Sequence, residues 1–308
     1  MNLKHILLVL KGIAMGAADV VPGVSGGTIA FITGIYDELL GSIKRVDIQA
    51  LKLLFTGKFG QFMKYINGYF LLCVIGGIAI SVLSLAKLMV WLLTYHPVQI
   101  WSFFFGLIIA SSIMVATTVK EWNWKTIISG LIGAIIAYYI TIASPTTTPD
   151  AYWFIFLSGA IAICAMILPG ISGSFILLLL GKYTFIMNSI SNLQIDIIIV
   201  FLIGAALGII AFSHILTWLL NRYKDITIAL LTGFMVGSLN KVWPWKETLE
   251  SYIDSHGVEQ PLTQRSILPG TFEQLTGTEA FLWEAIIYCA IGLFLVSCIE
   301  FIAKKLSK

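Results

Sequence analysis

Apolar residues occupy this 308-residue chain in long runs separated by short polar connections. The runs lie near 4–21, 24–43, 68–95, 98–118, 124–144, 151–168, 171–190, 194–221, 225–243 and 280–302. Several approach or exceed the ~20 residues that a helix needs to cross a bilayer. Two pairs of runs, 4–43 and 151–190, are each interrupted by Pro-Gly followed by Ser-Gly. Proline and glycine stop one helix and serine can cap the next, so each pair predicts a broken helical hairpin, spanning or re-entrant, with three spans after it.

The interruptions are copies of one another. Pro22-Gly23-Val24-Ser25-Gly26 matches Pro169-Gly170-Ile171-Ser172-Gly173 at an offset of 147, and Gly34, Tyr36, Ser42 and Ile43 fall on Gly181, Tyr183, Ser189 and Ile190 at the same offset. A second register, at 127, places Gly77, Lys87, Trp91 and Gly106 on Gly204, His214, Trp218 and Gly233. The difference between the offsets matches an insertion in the polar connector 44–67. The reading is an all-α polytopic membrane protein of two repeats, 1–148 (hairpin 4–43, connector 44–67, three spans) and 149–308 (hairpin 151–190, three spans, external loop 241–279). Each half has an odd number of crossings, so the repeats should be inverted.

Composition supports a bilayer setting: 58% of residues are hydrophobic and 11% charged, with a mean hydropathy of +0.93. Cys73, Cys164, Cys289 and Cys298 lie in apolar runs without CxxC spacing and read as core residues. Charge then orients the chain. The connector carries Lys44, Arg45, Lys52, Lys58 and Lys64 against Asp47, which places it and both termini in the cytoplasm. A signal peptide over Met1–Ala18 competes with this reading, but residues 15–43 have a counterpart deep in the chain at 162–190. Residues 50–66 read as an amphipathic helix on the membrane surface or as a solvated connector.

The hairpin turns, Pro22-Gly23 and Pro169-Gly170, are the candidate site. Ser25, Gly26, Gly27 and Thr28 follow one, and Ser172, Gly173 and Ser174 the other. Backbone N–H groups at such helix starts hold anions, so two tips converging at the midplane would suit a phosphate or carboxylate. The alternative is a pair of kinks whose glycines permit close packing. Asp19, whose counterpart is Met166, either carries a coupling proton or pairs with Lys11. Lys87 and His214 are equivalent basic residues, candidates for headgroup contact, with snorkelling a cheaper account of Lys87. Asp37, Glu38 and Lys182 are expected at the water-exposed bases of the hairpins. Glycine pairs such as Gly12/Gly16, Gly204/Gly208 and Gly233/Gly237 read as close-packing motifs. No metal, cofactor or nucleic-acid motif is present.

The segments Met15–Thr28 and Ala165–Ser174 resemble those of the bacterial polyprenyl-phosphate translocases, formerly an uncharacterised membrane family. The resemblance implies a flippase of the bacterial cell membrane, not an enzyme. It would return undecaprenyl phosphate from the outer to the inner leaflet for cell-wall polymer synthesis, coupled to a proton or sodium gradient. The tips also resemble undecaprenyl-diphosphate phosphatases, whose Pro-Gly-x-Ser-Arg-Ser pattern carries an arginine where this chain has Gly26 and Gly173. An ion-coupled carrier of a small anion is a further alternative.

Overall fold

Helices form where the apolar runs lie. The computed structural model describes residues 3–19, 25–145, 148–253 and 259–306. The first half opens with α1 (Leu3–Asp19), α2 (Gly26–Ile32) and α3 (Tyr36–Lys44), then the short α4 (Ile48–Phe55) and α5 (Phe59–Tyr65). The long α6 (Gly68–Tyr95), α7 (Pro97–Ala116) and α8 (Trp124–Ile142) complete it. The second half runs α9 (Tyr152–Ile167), α10 (Gly173–Leu179), α11 (Tyr183–Ser191), α12 (Ile195–Arg222) and α13 (Lys224–Ser238). A 3-10 turn (Leu239–Val242), strands β1 (Lys246–Ile253) and β2 (Glu259–Ser266), α14 (Pro269–Thr276) and α15 (Leu282–Leu306) end the chain. Among the described residues, α7, α8 and α12 are each long and apolar enough to cross a bilayer. Ile128, Leu131 and Ile135 of α8 and Ile199, Leu202 and Leu207 of α12 are exposed, as lipid-facing residues would be. The architecture is that of a mostly helical polytopic membrane protein.

Three expectations need correction. The chain is not all-α: β1 and β2 form an antiparallel ribbon inside the loop 241–279, with irregular register around Glu250. Its strands are rich in polar residues, so no apolar run marks them. The second arm of each hairpin is two helices, not one. Gly34 (φ 70°) and Gly181 (φ 62°) adopt the left-handed conformation that closes a helix. The Ile35 N–H donates back to the Ala30 carbonyl at 3.0 Å, and the Lys182 N–H to that of Leu177 at 2.8 Å. All three pairs of positions are related by 147, and α10 and α11 meet at a bend of 111°. Lys182, finally, is not at a water-exposed base. It is buried, paired with Asp150 and bonded to the Thr148 carbonyl at 2.8 Å.

The connector helix is also split, at Gly57 (φ 72°), into α4 and α5, which expose Ile48, Phe55 and Phe59. Asp47 caps α4 by accepting the Ala50 N–H at 2.9 Å.

Close packing binds the helices in matching pairs, α1 on α6 and α9 on α12, α7 on α15 and α13 on α8. Glycine makes these approaches possible. A Cβ on Gly77 would lie 2.3 Å from the Val9 carbonyl oxygen, and one on Gly204 2.0 Å from that of Phe156. Across the halves, a Cβ on Gly106 would lie 2.0 Å from the Cys289 oxygen and one on Gly233 2.0 Å from that of Gly130. Such contacts exclude any side chain, so the glycine pairs act as the packing motifs their spacing suggests. Helices of one half rest on helices of the other, and a single apolar cluster takes Leu8, Ala30 and Tyr36 from one and Ile167 and Leu231 from the other.

Candidate functional site

The two broken hairpins meet tip to tip. Ser25 caps α2, accepting the Gly27 N–H at 3.1 Å, while its hydroxyl donates to the Met166 carbonyl at 2.8 Å. Thr28, in the first turn of α2, accepts the Gly170 N–H at 3.1 Å. Tyr36, just beyond the Gly34 bend, donates to the Ile167 carbonyl at 3.1 Å. Gly170 holds φ 88°, a conformation that glycine adopts without strain. A Cβ on Gly27 would lie 2.4 Å from the Ile167 oxygen, so the backbones touch with no room for a side chain.

Buried surroundings change what these residues do. Sequence reasoning left the tip N–H groups free, yet Ser25, Thr28 and Ser172 are 1%, 0% and 5% exposed. The Ser25 and Thr28 hydroxyls satisfy backbone groups that the Pro-Gly break in the other hairpin strands away from helical partners. Side chains of the first tip thus bond to backbone groups of the second. Pro22 and Gly23 lie outside the described residues, whereas Pro169 and Gly170 form a turn before α10.

Asp19 settles one alternative. Its Oδ1 accepts the Gly26 N–H at 2.7 Å, so the carboxylate occupies the start of α2. Lys11 does not pair with it: the Lys11 ammonium donates to the Thr33 carbonyl at 2.8 Å, at the opposite end of α2. The second tip lacks this carboxylate. Ser172 makes no capping bond, its hydroxyl pairing with that of Ser174 at 2.8 Å, and a Cβ on Gly173 would lie 2.7 Å from Met166 Cγ. Thus a carboxylate faces the glycine at one helix start, and a thioether side chain faces its counterpart.

Other candidates stand apart. His214 is exposed on α12, its Nδ1 2.9 Å from the Ile210 carbonyl of its own helix. Lys87 falls on α6, with its side chain outside the described residues. Asp37 and Glu38 are exposed as expected, and Glu38 accepts from Asn67 at 2.9 Å. A cavity of about 390 Å³ opens beside Tyr36 and Asp37, with Thr217, Asn221 and Lys224 across it. The Thr217 hydroxyl is buried and has no hydrogen-bond partner among the described residues. Sequence reasoning gave no role to Tyr36 or Thr217; the repeat match at Tyr36 and Tyr183 was the available signal for the first.

Thr28→Val tests the tip contact. Valine keeps the shape but leaves the buried Gly170 N–H unpaired, which costs about 1–3 kcal/mol. The detergent-solubilised variant should melt below wild type, with Thr28→Ser close to normal; equal melting of the valine variant would show that the bond contributes nothing.

Comparison with known proteins assigns the chain to a family. The undecaprenyl phosphate translocase-like family matches residues 15–260. A polyprenyl-phosphate transporter of Vibrio cholerae is 48% identical over 304 residues, covering 99% of both chains. A polyprenyl-phosphate transporter of Staphylococcus aureus is 36% identical over 257 residues, covering 77% of this chain and 85% of its own. No solved structure matches. With membrane-spanning helices, duplicated broken hairpins and a family match that includes both tips, the chain belongs to the undecaprenyl phosphate translocase-like family and is a transporter, not an enzyme.

Proposed function

We propose that this protein carries polyprenyl phosphate from the outer to the inner leaflet of the bacterial cell membrane, returning the carrier lipid for synthesis of envelope polymers. The observation that carries the reading is the tip-to-tip contact of the two hairpins, where Ser25 and Thr28 bond across to Met166 and Gly170. These bonds hold a path shut with the hydroxyl and amide groups that a phosphate would use. Separating the tips frees both sets, so the headgroup replaces the contact it breaks while the prenyl tail stays in lipid. A helix of seven residues has a small dipole, so the N–H groups and hydroxyls of Ser25, Gly26, Gly27, Thr28, Ser172, Gly173 and Ser174 supply the binding.

The two halves form an inverted repeat with both termini in the cytoplasm, one hairpin entering from each side. Asp19 couples transport to an ion gradient. Its carboxylate and a phosphate oxygen compete for one Gly26 N–H, and two anions cannot share it; a protonated Asp19 yields the site, and deprotonation reclaims it. Sodium would serve by neutralising the same carboxylate.

The test uses protein reconstituted in vesicles with polyprenyl phosphate loaded into one leaflet. Labelled lipid should cross at a rate that depends on the protein, while labelled small anions should not enter the lumen. Release of inorganic phosphate from polyprenyl diphosphate would favour the phosphatase, and protein-independent crossing would remove the transport reading.

A further inference from the structure

Positive charge is gathered beside the second tip. Lys241, in the 3-10 turn after α13, holds Nζ 4.0 Å from the centre of the Phe175 ring, next to Ser174 in α10. Lys246, at the start of β1, holds Nζ 4.0 Å from the centre of the Trp101 ring of α7 and donates to the Lys241 carbonyl. Among the described residues neither ammonium meets a carboxylate: the ion pairs are Lys182 with Asp150 and Arg265 with Glu247. Acids of β1, α14 and α15 have partners of their own: Glu250 accepts from the Thr263 hydroxyl, Glu273 from the Ala280 amide and Glu284 from Gln99. Burial, with the charge of Lys241 beside it, pushes the Lys246 ammonium well below the usual lysine range.

The arrangement is held in place from behind. The Trp243 indole donates to the Ile267 carbonyl and the Trp245 indole to that of Ala280, both at 2.8 Å. Trp243 also packs edge-on against Phe105 and Trp245. Two like charges fixed together beside aromatic rings repel, and a ring face compensates only part of what each lost from water. An anion between them removes the repulsion. The position suits a route to the tip, since a Cβ on Gly170 would lie 2.7 Å from Ser238 Oγ, and Lys241 follows Ser238 by one turn.

We propose that Lys241 and Lys246 form the docking site for a phosphate monoester dianion, the headgroup of the transported lipid, on the ribbon side of the second tip; this rests on the transport reading above. A bound dianion favours the ammonium form that burial opposes at Lys246, and the two ammonium groups then match the two charges that a monoester carries above its second pKa of about 6, whereas phosphodiester lipids carry one. The pair therefore selects the carrier lipid from bulk phospholipid.

Binding to the purified full chain tests this with four probes: undecaprenyl phosphate, dodecyl phosphate, phosphatidylglycerol and inorganic phosphate. Both monoesters should outcompete phosphatidylglycerol, and Lys241→Gln or Lys246→Gln should weaken each monoester roughly tenfold. In wild type, dodecyl phosphate should protect Lys241 and Lys246 from an amine-reactive label while leaving Lys52 unprotected, a readout that needs no variant to fold. Unprotected lysines, unchanged affinity in both glutamine variants, or equal binding of phosphatidylglycerol would overturn the site. Inorganic phosphate binding as tightly as the esters would make the ligand a free anion and overturn the headgroup assignment. Lysine-dependent binding of dodecyl phosphate without binding of undecaprenyl phosphate would keep the site and remove the lipid assignment. Lysine-independent binding of undecaprenyl phosphate would do the reverse.

Discussion

Gly27→Ala should reduce transport roughly tenfold or more while the protein still reaches the membrane, because the added methyl group acts where the backbones of the two tips lie closest. Its Cβ would lie 2.4 Å from the Ile167 carbonyl oxygen and 3.1 Å from that of Met166, and both are backbone atoms of the other hairpin. Neither can turn aside as a side chain would. Overpacking of this kind costs about 1–3 kcal/mol, which the protein avoids by holding the tips apart. The spans themselves pack elsewhere, through Gly77, Gly106, Gly204 and Gly233, and are left intact. Gly26→Ala is the informative partner. Its Cβ meets the Asp19 carboxylate at 2.5 Å, a side chain that can swing away, so this variant should lose the Asp19 contact before it loses closure. The measurements are lipid crossing in vesicles and surface expression of folded protein. Normal crossing by Gly27→Ala would mean that the tips need not close during transport.

Under the coupling proposed for Asp19, Asp19→Asn should remove the dependence of transport on an ion gradient and leave lipid binding in place. Asparagine keeps the shape and still offers an oxygen to the Gly26 N–H, but it neither takes up a proton nor repels an arriving phosphate. Uncoupled protein should equilibrate labelled lipid between leaflets and fail to accumulate it against a gradient. Asp19→Ala, which also vacates the helix start, should bind lipid at least as tightly as Asp19→Asn. Retention of full gradient dependence by Asp19→Asn would make the carboxylate a structural cap. Among the described residues, Asp19 is the carboxylate hydrogen-bonded to a tip.

Much of this protein was legible in its residues because the information was local. Apolar run length located the long helices: α6 begins and ends at residues 68 and 95 as the run did, and α7, α8 and α12 depart by one or two residues. Pro-Gly-x-Ser-Gly marked the break before α10, and the matches at Gly34 and Gly181 fell on the left-handed bends of the two hairpins, although their meaning as helix ends was missed. Helix-stopping is a property of a residue and its near neighbours, so it can be read without a fold. The ribbon was missed because its strands are polar and rest on pairing with each other, which no apolar pattern reports.

The site divides along the same line. Residue chemistry alone selected Ser25, Gly26, Gly27, Thr28 and Ser172 and singled out Asp19 as the asymmetric carboxylate. Their partners were decided only in three dimensions. Ser25 and Met166 are 141 positions apart, and Thr28 and Gly170 are 142 apart, so no local rule links them. The same holds for Lys182, expected in water yet buried against Asp150, and for Lys241 and Lys246, which read as unremarkable loop charges until Phe175 and Trp101 are brought beneath them. A sequence states which groups must be satisfied, because burial and helix breaks leave them needing partners. Which group satisfies which is fixed by how the helices pack, since hydrogen bonds and charges act over a few ångströms of space and take no account of distance along the chain.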